Sequence, residues 1–256
     1  MTRYKFVIEY DGRPFVGWQR QQNGPSVQAA LEEAVYRFCG ERITVTGGGR
    51  TDTGVHALGQ VAHLDLNRDV TGNRLRDAVN AHLRPLPVAV VAAMPVNPEF
   101  HARFSAIGRR YLFRILSRRA PPAIEEGRVW WVPQSLDAEV MHTAGQILVG
   151  RHDFTSFRAA GCQATSPIKT LNSLRVFRHG DEVWLEVLAR SFLHNQVRII
   201  MGTLCQVGLG RWPASAVEKA LTARNRSAAG PTAPAQGLYL VAIHYEDENT
   251  MIVAPG

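Results

Sequence analysis

Cysteine is scarce in this chain of 256 residues: Cys39, Cys162 and Cys205 are the only three, and no two form a Cys-x-x-Cys pair. An odd number of thiols so far apart offers no disulfide framework, and a reducing compartment fits best. The apolar stretch from Leu86 to Val96 is too short and too broken by proline to cross a bilayer. Glu9 and Asp11 stand where an export signal needs continuous apolar residues. These absences predict a cytoplasmic protein with no membrane contact. Nor is there a metal or nucleotide signature. His56 and His63 are the nearest approach to a zinc spacing, and no cysteine or carboxylate completes it. The glycines at 47–49 lack both the Lys-Ser/Thr ending of a phosphate loop and the GxGxxG pattern after a strand. No cofactor and no metal are expected.

Acidic residues are also few. Asp and Glu number 22 against 29 Lys and Arg, a net charge of +7 and a pI near 9.8. Such a surface favours a polyanionic partner, nucleic acid first among them. What remains is ordinary for a folded protein: 45% apolar and 20% charged residues, in a length that suits one or two domains.

Apolar periodicity orders the first hundred residues. Tyr4, Phe6, Ile8 and Tyr10 alternate against Lys5, Val7 and Glu9, predicting a strand closed by Asp11-Gly12. Ser26 is placed to cap a helix bearing Val27, Leu31, Ala34, Val35 and Phe38, which stops at Gly40. Strands are predicted over Ile43–Thr46 and Gln60–Leu66 around the glycine-rich segment 47–59, then a helix capped by Thr71 and a strand over Val88–Met94. Strand, helix, strand, strand, helix, strand is the split βαβ or ferredoxin-like order. The second half echoes it. Arg109–Leu116 reads as a strand, Ser135 opens a helix with Leu136, Val140, Ala144, Ile147 and Leu148, and Lys169–Arg190 is a hairpin turning at His179-Gly180-Asp181. Helices from about His194 and Pro213 precede a last strand, Leu238–Tyr245, while 125–133 and 227–236 read as loops. The expected fold is α+β, two ferredoxin-like, RRM-like halves with antiparallel sheets, divided as residues 1–100 and 101–256.

Three features carry chemistry. The segment Gly47-Gly48-Gly49-Arg50-Thr51-Asp52-Thr53-Gly54-Val55-His56 sets one acid among glycines beside a cation. Taken alone, a glycine turn with a solvated Asp explains it better than a reactive carboxylate does. Asp52-Thr53-Gly54 also spells an aspartic-protease tripeptide, but that chemistry needs two carboxylates and the chain has no second copy. Arg198 borders the apolar stripe Val197, Ile200, Met201 and Leu204, where a guanidinium needs a carboxylate, a phosphate or a path to water. Between Arg103 and Arg119, six arginines interleave with Phe104, Tyr111 and Phe113, a mixture suited to RNA, though by itself it reads first as a strand with its rings in the core and its charges in water. Cys162 has no local pattern making it a nucleophile with His152 or His194.

In their order these blocks resemble the bacterial tRNA pseudouridine synthase A family. The blocks are Tyr10-Asp11-Gly12, Gly17-Trp18-Gln19-Arg20-Gln21, Gly49 to Ala57, Phe100-His101-Ala102-Arg103-Phe104-Ser105-Ala106, Arg110-Tyr111, His152-Asp153-Phe154, Ser166-Pro167, Phe192-Leu193-His194-Asn195 with Val197-Arg198, and Gly237-Leu238-Tyr239-Leu240. They span nearly the whole chain. Ser191 departs from the pattern, which has Gly there. The resemblance implies a pseudouridine synthase fold and a cofactor-free isomerisation of uridine at positions 38 to 40 of the tRNA anticodon arm, by a homodimer that cradles the tRNA. It implies Asp52 as the essential carboxylate with Arg198 as its guanidinium partner. It further implies Tyr111 packed on the flipped uracil, Arg50 filling the vacated stack, and Leu238 as the opposite wall. The competing expectation is a noncatalytic RNA-binding module, for which Asp52 has no use.

Overall fold

A computed structural model describes residues 1–246 of the protein. The elements follow in the order β1 (Thr2–Tyr10), α1 (Val27–Cys39), β2 (Thr46–Gly47), β3 (His56–Leu66), α2 (Gly72–Leu83), β4 (Val88–Pro95), β5 (Ala106–Ser117), β6 (Trp130–Val132), α3 (Ala138–Gly145), β7 (Gly150–Asp153), β8 (Ile168–His179), β9 (Glu182–Ala189), α4 (Gln196–Gly208), α5 (Ser215–Ala223) and β10 (Leu238–Tyr245). One sheet takes in every strand, in the order β4-β1-β3-β10-β5-β9-β8-β7, with β2 on β3 and β6 on β5.

Both halves are recognisable in that order. In the first, β4 lies beside β1, β1 beside β3, and β2 on the far edge of β3; in the second, β10, β5, β9 and β8 repeat the arrangement. Each is the ferredoxin-like order. A parallel pairing joins them, Tyr239 opposite His56 and Leu240 opposite Ala57. It explains why the strand expected over Ile43–Thr46 shrinks to Thr46–Gly47. The free edge of β3 is shared, β2 taking Ala62 and His63 and β10 taking His56 and Ala57. The sheet therefore runs unbroken across residue 100.

Period-two burial builds the core from the strands. Tyr4, Phe6, Ile8 and Tyr10 are buried and Glu9 is exposed, while Phe113 and Ile115 anchor the second half. Ser26 caps α1 through Ala29 N at 3.3 Å, and Gly40 ends it at φ 74°. Other boundaries move. Thr71 precedes α2 without a side-chain bond to it. Asp137, not Ser135, caps α3, accepting from Glu139 N at 3.1 Å and Val140 N at 3.0 Å, and Val140 and Ile147 of the expected stripe are exposed. Helix α4 starts at Gln196 behind Asn195, which sits at φ 61°, and α5 starts at Ser215. The segment 125–133, expected as loop, contains β6, paired in parallel with Ile115–Ser117 of β5.

Candidate active site

The loop from Gly48 to Val55, between β2 and β3, is pinned along its length. Gly48 N donates to Val61 O at 2.7 Å, Gln60 Nε2 to Gly49 O at 2.7 Å, and Trp18 N to Thr51 O at 3.1 Å. The hydroxyls of Tyr10 and Thr51 share a 2.7 Å bond. Gly17 holds φ 115°, and a Cβ there would lie 2.5 Å from Thr51 O, so only glycine lets the 17–18 turn approach this closely. Arg109 adds a fifth tether. Buried and without a carboxylate partner among the described residues, its guanidinium donates to Gly48 O (2.7 Å), Arg103 O (2.9 Å), Arg190 O (2.7 Å) and, at 3.4 Å, Ala106 O. Four carbonyls thereby offset its desolvation, which still draws its pKa below the usual value.

Asp52 sits at the crest of this loop with 37% of its side chain exposed, and its Oδ1 lies 3.4 Å from His194 Nε2. The pair bridges the halves, since His194 precedes α4. At this exposure it contributes at most about 1 kcal/mol and is readily displaced by an incoming ligand. His194 is the neighbour that sequence reasoning missed. It stands inside the Phe192–Asn195 block beside Arg198, where the sequence offers it only as a partner for Cys162. That partnership does not form through its ring: Cys162 Sγ accepts the His194 backbone N–H at 3.4 Å while the imidazole faces Asp52. Burial pushes the Cys162 thiol up, yet N–H donors from Ala164 and His194 and the charge of Arg158 outweigh it and bring the pKa down.

Arg198, expected as the guanidinium partner of Asp52, directs its donors elsewhere. Nε donates to Ala233 O at 2.7 Å and Nη1 to Asn195 Oδ1 at 2.8 Å, and among the described residues no ion pair joins it to Asp52. The cause is the left-handed Asn195, whose side chain turns back to the guanidinium instead of capping α4. The two charges still sense each other. Burial lowers the Arg198 pKa and Asp52 raises it.

Tyr111 on β5 is buried, with Phe192 edge-on at 5.2 Å. Burial first, then the charges of Tyr10 and Asp52, push its hydroxyl far above the ordinary range, so it carries its proton at neutral pH. Leu240 lies opposite Tyr111 and Leu238 opposite Phe113, which puts Leu238 on the same face as Tyr111 two positions along. Arg50 is exposed two residues before Asp52 and makes no ion pair among the described residues. Asp52, His194, Arg198 and Tyr111 thus lie together, while Arg50 is two residues from Asp52 and Leu238 shares the sheet face of Tyr111.

The arginine-rich segment divides. Phe113 is core, Arg114 pairs with Glu182 (2.7 Å) and Glu125 (2.9 Å), and Arg118 pairs with Asp181 (3.1 Å). Phe104 alone of the rings is open, 72% exposed with Arg103 over it. The histidines weighed for a metal spend their Nδ1 lone pairs on backbone, His56 accepting from Gly12 N at 3.1 Å and His63 from Ala102 N at 3.2 Å.

Two ferredoxin-like halves fused by one parallel strand pair, with a carboxylate of the first facing an imidazole and a guanidinium of the second, define an α+β protein with a carboxylate-centred site. A family model described as tRNA pseudouridine synthase matches residues 6–105 and 144–246. The chain is 63% identical to tRNA pseudouridine synthase A of Rhodospirillum centenum over 245 residues, 96% of this chain and 100% of that one. It is 58% identical to the Rhodospirillum rubrum protein of the same name (97% of this chain, 89% of that one) and 56% identical to that of Parvibaculum lavamentivorans (96% and 100%). The chain belongs to the tRNA pseudouridine synthase family.

Proposed function

We propose that this enzyme, an isomerase by its family, converts uridine to pseudouridine at positions 38, 39 and 40 of the tRNA anticodon arm, with Asp52 as its reacting carboxylate and no cofactor. The observation that carries this reading is a carboxylate held still by its backbone and left open at its side chain, weakly partnered by His194 alone.

The reaction balances within the substrate. The N1–C1′ bond breaks, the uracil turns, C5 bonds to C1′, and the C5 proton is lost as N1 gains one. Asp52 serves as nucleophile toward C6 of the base or C1′ of the ribose. Extruding the base costs a few kcal/mol, so the enzyme must hold the base and fill the gap it leaves. Tyr111 offers the face that packs on uracil, and Leu238 stands on the same side of the sheet as the facing wall. Burial keeps the Tyr111 hydroxyl protonated, so it meets C5 as a neutral phenol. Arg198 balances the Asp52 charge from a distance, and Arg50, free and exposed beside Asp52, enters the vacated stack. The enzyme acts in the cytoplasm as a homodimer around tRNA, which accords with its basic charge.

Purified protein incubated with unmodified anticodon-arm transcripts tests this. Primer extension after carbodiimide treatment is expected to stop at 38, 39 or 40 according to where uridine stands; stops confined to other positions would overturn the assignment.

A further inference from the structure

At the far edge of the sheet, β7 and β8 meet the chain that leaves β9 toward Asp52, and a groove of about 500 Å3 runs between them. Its walls bring together Arg151, Lys169 and Arg190, with Asn172 and Ser191 among them and no acidic side chain. Among the described residues, none of these three cations has a hydrogen bond or ion pair through its side chain. Arg114 and Arg118, by contrast, are neutralised by Glu182 and Asp181. Converging like charges without counter-ions repel one another and weaken the free protein, an arrangement that a bound anion relieves.

The groove is also fixed and close to the reacting site. Arg190 is held at its carbonyl by Arg109 Nη1 at 2.7 Å, the same guanidinium that tethers the Asp52 loop at Gly48. Ser191 is three residues from His194, so chain reach keeps its Cα within about 10 Å of that residue. Between them Phe192 packs on Tyr111.

We propose that this groove binds the phosphodiester backbone of the RNA strand flanking the target uridine, with consecutive phosphates at Arg190, Lys169 and Arg151. It rests on the reading of tRNA as substrate. The two guanidiniums suit phosphate oxygens as forks and the ammonium as a point charge, while Asn172 and Ser191 supply neutral donors. The groove carries backbone affinity and no base readout.

The test compares the wild type with the triple variant Arg151→Ala, Lys169→Ala, Arg190→Ala, measuring tRNA binding from ~50 to ~200 mM potassium chloride alongside steady-state turnover. Each phosphate contact contributes about 0.7 to 0.9 to the slope of log affinity against log salt, so the variant's slope is expected to fall by about 2 to 3. Its KM is expected to rise about tenfold or more, with kcat at saturating tRNA unchanged. The glutamine triple variant, which keeps side-chain bulk, gives the same readout should the alanine variant not fold. An unchanged slope beside normal wild-type turnover overturns the groove and leaves the function standing. A reduced slope without any wild-type turnover upholds the groove and removes the function reading instead.

Discussion

A carboxylate that is to react must be held still and yet remain reachable, and Asp52 meets both needs by different means. Its backbone neighbours Thr51 and Gly49 are bonded to Tyr10, Trp18 and Gln60, while its side chain has only the weak contact to His194. Arg198 complements it through space with a guanidinium already engaged twice, at Ala233 O and Asn195 Oδ1. A lysine offers one point charge on a flexible stem and cannot keep both contacts and the same placement. Arg198→Lys is therefore expected to lower kcat by about tenfold or more, a loss of at least about 1.4 kcal/mol of transition-state stabilisation, with tRNA affinity little changed. Wild-type kcat in that variant would show that the position of this cation does not matter. The bend of this loop was legible from residues alone, because glycines at 47–49 and 54 around one acid mark a backbone that must turn closely, whereas the roles of its side chains came from the resemblance. His194 was not, since nothing local says that a histidine before α4 will meet a loop more than a hundred residues upstream.

Long, strongly periodic elements such as β1, α1, β5, the β8–β9 hairpin and β10 were legible, because their own residues decide where they lie. β6 and β7 were not. They have three and four residues, and only their neighbours β5 and β8 make them strands. The loop between β4 and β5 depends equally on distant partners, which gives it a pH dependence. His63 of β3 accepts Ala102 N, and burial, together with the charges of His101 and Arg3, depresses its pKa from 6.5 to about 4. A base whose folded pKa lies below its unfolded value leaves the unfolded chain binding more protons. Stability is then full above pH 6.5 and falls as the pH drops toward 4, by up to roughly 3 kcal/mol at about 1.4 kcal/mol per unit. His63→Asn keeps an acceptor that does not titrate. Urea unfolding at pH 7 and pH 4.5 is expected to show a smaller stability loss in this variant than in the wild type, and equal losses would remove His63 from the account.

At the scale of the molecule, the parallel pairing of β10 with β3 makes one sheet of two similar halves and sets Asp52 of the first against His194 of the second. The separation at residue 100 is a feature of topology. Because β10 is bonded to both β3 and β5, neither half keeps its edge if the other opens. Calorimetry is expected to show a single cooperative transition, and two resolved transitions would mean that the halves are independent. The same scale explains why the cations that are free to meet RNA escaped a reading of local clusters. Many arginines of the 103–119 run are taken up by carboxylates and carbonyls, whereas Arg151, Lys169 and Arg190 are distant in sequence and are gathered only by the sheet edge. Everything proposed for the chemistry returns to one side chain. Single-turnover pseudouridine formation by Asp52→Ala, measured beside its tRNA affinity, tests it most directly: the rate is expected to fall by ~1000-fold or more with affinity within about threefold of wild type. Turnover near the wild-type rate in a variant that binds tRNA normally would contradict the account.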